Sequence, residues 1–171
     1  SEISVLNGNF GDSYNNLNGF TEKFTKNTIF GTVSPKHWSL SKVSGTAICG
    51  IDVLNGNKVV WVKTGYLKQE LAEIERFNAD YIYRFTVDVG SIEEDNNGLS
   101  GYNIEIVAIK SKCQDAKSCP ETVLASKKSL FVSNNLAEIS IELNGDNYKS
   151  HDGEKFVVKL KPYADGTKSY Y

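Results

Sequence analysis

Trp61, in the run Lys58-Val59-Val60-Trp61-Val62-Lys63, is the residue of this chain best suited to hold a ligand. In an extended strand side chains alternate between faces, so Val60 and Val62 share one side and Trp61 shares the other with Lys63. A flat indole offers a stacking surface to the apolar C–H face of a sugar ring. Tyr66 follows directly after Gly65. Arg84, Asp88, Asn103 and Glu105 fall on the polar faces of two further strands and carry the donors and acceptors that sugar hydroxyls need. The same residues also read as structure. Val59 shares the Trp61 face, which permits burial, and Arg84, Asp88 and Glu105 suit cross-strand ion pairs.

Groups for acid–base or nucleophilic chemistry are sparse. His37 precedes Trp38, and His151 sits in the polar stretch 148–154; neither has an evident partner. No nucleophile elbow appears, so the chain is expected not to be an enzyme. The acidic stretch 93–98 has oxygen donors before Gly98, but the closing acid of a calcium loop would fall at Ile104, one short of Glu105. Cys113 and Cys119 bracket a short polar loop followed by Pro120, which reads as a disulfide staple of an oxidising compartment. Cys49, between Ile48 and Gly50, reads as a small buried apolar residue.

Short β-rich runs must position these side chains. Strands are expected at 2–6, 28–32, 38–43, 47–53, 58–63, 66–71, 81–89, 102–110, 122–127, 137–143 and 155–161, with a last piece near Tyr170. Asn55-Gly56 marks a tight hairpin, and 69–78 is the one helix-like stretch. Alternation puts Tyr83, Phe85 and Val87 on one face of their strand, Ile104 and Ile106 on one face of theirs, and Ile139 and Ile141 likewise. Phe156, Val158 and Leu160 point inward against Lys159 and Lys161. Gln69 shares a face with Leu67 and Leu71. One buried and one wet face per strand predicts an all-β fold, an antiparallel β-sandwich of jelly-roll type, in a single domain over 1–171.

A chain of 171 residues with a net charge of −2 lacks the concentrated basic surface that nucleic acid requires. No apolar run is long enough to insert into a membrane as a helix.

The opening Asn7-Gly8-Asn9-Phe10, then Leu67-Lys68-Gln69-Glu70-Leu71 and the strand 81–89, come in an order that resembles carbohydrate-binding modules of the galactose-binding-like jelly-roll group. The resemblance implies a non-catalytic, secreted or cell-surface module. Its partner would be a polysaccharide or other glycan, held on a concave sheet face by Trp61, Tyr66, Arg84, Asp88, Asn103 and Glu105. It also implies a structural calcium between the first and last strands and no other cofactor; Gly11 stands where such modules carry an acid after the Phe, and Asp12 comes one later. The alternative is a structural or adhesive subunit of a cell-surface, fibre or viral assembly, whose wet face meets a protein partner.

Overall fold

Gly56, at φ +81°, turns the chain between β6 (Cys49–Leu54) and β7 (Asn57–Val62) and leaves Leu54 opposite Asn57. Positive φ is free of steric cost at glycine, so the turn residue fixes the hairpin register. This computed structural model describes residues 14–15, 21–22, 29–30, 34–35, 38–41, 49–54, 56–71, 76–91, 101–110, 119–131, 133 and 135–171. The expected strand 2–6, the 7–10 segment, Asp12, His37, the acidic stretch 93–98 and Cys113 lie outside them.

Five strands, β5 (Ser39–Leu40), β8 (Leu67–Glu70), β10 (Gly101–Ile109), β11 (Glu121–Leu130) and β13 (Lys155–Lys161), form an antiparallel sheet in the order β11-β10-β13-β8-β5. Opposite it, β9 (Ile82–Val89) pairs with β12 (Ala137–Asn144), and β14 (Ser169–Tyr170), β7, β6 and β3 (Ile29–Phe30) run in the order β14-β7-β6-β3. A bridge between Gly90 and Tyr170, with the Gly90 N–H donating to the Tyr170 carbonyl at 3.1 Å, joins these two pieces into one composite sheet. β1 (Tyr14–Asn15), β2 (Thr21–Glu22) and β4 (Ser34–Pro35) make a small sheet, β2-β1-β4. The fold is thus an all-β antiparallel sandwich of jelly-roll type, as the strand pattern predicts.

The core lies between the two large sheets. Leu67, Ile104, Ile106, Phe156 and Leu160 come from one, and Val60, Val62, Tyr83, Ile141 and Leu143 from the other. Gln69 is buried on the same side as Leu67. Phe77 meets Phe156 edge-on, centroids 5.2 Å apart at 89°, a favoured quadrupole arrangement. Tyr171 continues β14, exchanging two backbone hydrogen bonds with Val60, and its ring crosses the core. Its hydroxyl accepts the Asn103 N–H at 2.8 Å and donates to the Lys161 carbonyl at 2.6 Å.

A second apolar cluster, Leu54, Val59, Trp61 and Tyr170 with half-buried Leu136, occupies the face of the composite sheet turned away from that core. Gly90 belongs to it by shape: a Cβ there would stand 2.3 Å from Leu54 Cδ2.

Gln69 and Glu70, shared by the expected strand 66–71 and the helix-like stretch 69–78, end strand β8, because pairing with Val158 and Val157 of β13 extends the chain there. A 3₁₀ segment, kinked at Tyr148, forms at Gly145–His151. The Asn144 side chain accepts the Asp146 N–H at its start, satisfying a donor that the first turn leaves free.

Candidate functional site

Inward-facing side chains of a sandwich are buried where the sheets close over each other and half-exposed where they part. The edges of the two large sheets meet at β11 and β12, and beside that edge the inward-facing side chains are less completely covered. Phe85, Val87 and Ile139 on one wall and Ala125 on the other point inward yet stay half-buried. Val87 lies opposite Ile139, and Phe85 opposite Ile141, so one wall is continuous and apolar. The floor is aromatic. Tyr83 and Phe156 are 4.9 Å apart at 75°, and Phe85 lies 6.0 Å from Phe156 and 6.5 Å from Tyr83, stacked on the latter.

Two polar groups border this cleft. The Tyr83 hydroxyl accepts the Asn78 N–H at 2.9 Å. Burial pushes its pKa up, so the phenol keeps its proton at neutral pH and remains a donor. Lys127, on the inner face of β11 opposite Ile104, donates to the Ser140 carbonyl at 3.1 Å. Such a cleft can hold a flat apolar molecule away from water, and its ring faces can stabilise positive charge that develops on it.

The residues expected from sequence do not converge. Trp61 is 5% exposed in the outer cluster, with the Lys168 amine 4.6 Å above its ring. Both faces of β7 are covered at this point, so no platform is presented. Tyr66 lies between β7 and β8, its ring 4.3 Å from the Lys159 amine. Arg84 reaches Glu142 at 3.8 Å and Asp88 stands opposite Glu138, both on the outer face of the composite sheet. Asn103 and Glu105 belong to the other sheet, where Glu105 holds Lys161 at 2.6 Å. Two outer faces on opposite sides of a sandwich cannot grip one sugar.

Sequence reasoning passed over Lys127, Lys159 and Asp52. Lys159, expected on a wet face, is buried and bonded to Glu121 at 2.5 Å. Asp52 is buried on the Val59 side of β6, and its place within the apolar run 51–54 was the available signal. Among the described residues no group of three or more His, Cys, Asp or Glu comes together to hold a metal. Cys119 is disulfide-bonded and Cys49 is free and buried; burial pushes the Cys49 thiol up, which keeps it inert.

A family model described as HpiC1-like, HpiC1 cyclase, matches residues 1–164. Among solved structures, a Stig cyclase, Fisc, from Fischerella sp. TAU in complex with (3Z)-3-(1-methyl-2-pyrrolidinylidene)-3H-indole is 18% identical at a TM-score of 0.59, covering 98% of this chain and 96% of that one. A cyclase from Fischerella sp. TAU in complex with 4-(1H-indol-3-yl)butan-2-one is 18% identical at a TM-score of 0.62, covering 99% of this chain and 93% of that one. No curated protein matches the chain. The family match overturns the expected carbohydrate-binding module, its polysaccharide partner, the adhesive alternative and the expectation that the chain is not an enzyme. The short motifs behind that resemblance are features of strand order in the jelly roll, and a fold does not fix a function.

Proposed function

The chain belongs to the HpiC1-like family, and from that membership we propose that it is a cyclase, an enzyme that closes a ring within a small, largely apolar molecule. The observation that carries the reading is the family match over residues 1–164. The indole-bearing ligands in the two cyclase complexes support an indole-bearing substrate. The cleft suits one: Phe85 and Val87 offer a flat apolar wall, with Tyr83 and Phe156 beneath.

In this reading the chain contributes shape and electrostatics. The apolar walls fold a flexible side chain of the substrate toward its ring and exclude water, which raises the effective concentration of the reacting ends. The half-buried ring of Phe85 lowers the energy of an electron-poor carbon laid on it as the ring closes. The protonated Tyr83 hydroxyl, aligned by the Asn78 N–H, is a fixed hydrogen-bond donor at the floor. The disulfide at Cys119 supports residence in an oxidising compartment, secreted or at the cell surface.

Calorimetric titration with 4-(1H-indol-3-yl)butan-2-one tests the site, and incubation with indoles bearing unsaturated side chains tests the activity by a product of unchanged mass and new retention. Phe85→Ala is expected to weaken binding and turnover together without unfolding the protein. Wild-type protein that neither binds the ketone nor converts any such indole would sink the reading.

A further inference from the structure

We propose that Lys127 is the specificity-determining residue of the cleft, selecting substrates whose apolar body ends in a hydrogen-bond acceptor or an anion; this rests on the cyclase reading of the same cleft. Lys127 pairs in register with Ile104, a core residue, so its side chain leaves β11 on the inner face. It crosses to the free edge of β12 and meets the Ser140 carbonyl at 3.1 Å. Ser140 stands opposite Thr86, between Ile139 and Ile141 along its own strand and between Val87 and Phe85 across the ladder. The amine is therefore at the rim of the apolar wall.

An ammonium carries three donors, and the carbonyl takes one. Among the described residues no carboxylate lies within ion-pair distance of it. The nearest acids along β12, Glu138 and Glu142, alternate onto the opposite face, where Glu142 holds Arg84. The Tyr83 hydroxyl lies deeper and is neutral, and Phe85, Val87, Ile139 and Ala125 beside Lys127 are apolar, so this exposed amine is the charged group at that edge. A molecule lying along Phe85 and Val87 with a carbonyl or carboxylate at one end would place that end at Lys127 and its rings on the floor.

Three probes with one indole and one chain length isolate the effect: 3-butylindole, 4-(1H-indol-3-yl)butan-2-one and indole-3-butyrate. Wild-type protein is expected to bind the carboxylate about tenfold more tightly than the alkyl probe, with the ketone between, as a charge-assisted hydrogen bond at a partly solvated rim provides. Lys127→Met should flatten the series and leave 3-butylindole unchanged; Lys127→Arg should restore the order. Thermal melts of both variants confirm the fold. Equal binding of all three probes by wild type, or an order that survives Lys127→Met, overturns the role of Lys127. The cyclase reading then stands if 3-butylindole binds and Phe85→Ala loses it. Failure of wild type to bind any probe overturns both.

Discussion

The Tyr171 hydroxyl sits between the paired residues Asn103 and Lys161 of the opposite sheet, donating to the Lys161 carbonyl at 2.6 Å. A side chain from one layer thereby completes the backbone hydrogen bonding of the other. Tyr171→Phe leaves the Asn103 N–H without its acceptor in the core, and urea unfolding should show a loss of about 1–3 kcal/mol. Burial pushes the Tyr171 phenol well above the ordinary tyrosine range. A group whose folded pKa is raised contributes fully below its unfolded pKa and loses that contribution as pH rises beyond it. Wild-type stability should therefore fall above about pH 10, more steeply than that of Tyr171→Phe; parallel pH profiles of the urea midpoint would count against the clamp. Tyr83 and Cys49, also raised by burial, add to the alkaline slope in both proteins.

Trp61→Ala removes a large side chain from a closed apolar cluster. The expected cost is about 3–5 kcal/mol of stability, seen as a lowered melting temperature. Affinity for an indole probe, corrected for folded fraction, should stay constant, because Trp61 faces away from the cleft.

Lys159 and Glu121 are predicted to respond unequally. Glu121→Gln takes the bonded carboxylate from a buried ammonium, leaving it the Tyr66 ring, a neutral amide and Glu105 opposite, which already holds Lys161, and should cost about 2 kcal/mol. Lys159→Met keeps the packing against Tyr66 and frees a carboxylate that reaches water, so its cost should be well under 1 kcal/mol. Equal losses in chemical denaturation would rule out charge burial as the cause.

Gly145→Ala should destabilise more than Gly90→Ala. A Cβ at Gly145 meets three backbone oxygens, with Tyr81 O at 2.6 Å, which cannot yield without moving the start of β9. At Gly90 the obstacle is the end of the Leu54 side chain. Overpacking of the first kind costs about 3 kcal/mol, and differential melts of the two variants give the ranking.

Alternation alone placed Leu67 with Gln69, Ile104 with Ile106, and Phe85 with Val87 on common faces, since a period of two is local. It could not say which faces are covered. Trp61 and Val59 point away from the main core and are buried all the same, because Leu54, Leu136 and Tyr170 gather there from distant parts of the chain. Nor could it say which strands share a sheet: Arg84 and Glu105 sit on look-alike polar faces of opposite layers. The cleft was less legible still. It lies where the edges of two sheets meet, and the residues that mark it have the composition of ordinary core.

The order β11-β10-β13-β8-β5 also has a kinetic side. The β6–β7 hairpin closes through a two-residue turn, so it forms on the timescale of microseconds. Pairing β13 with β8 must wait for the whole of 71–156 to be gathered, and β9 with β12 for 90–136. Loop-closure entropy is met before those ladders return any energy, which places this chain among slow folders, on the order of milliseconds to seconds. Until they close, β13 and β9 offer bare edges to other chains. Refolding yield should accordingly fall with protein concentration well before native stability changes.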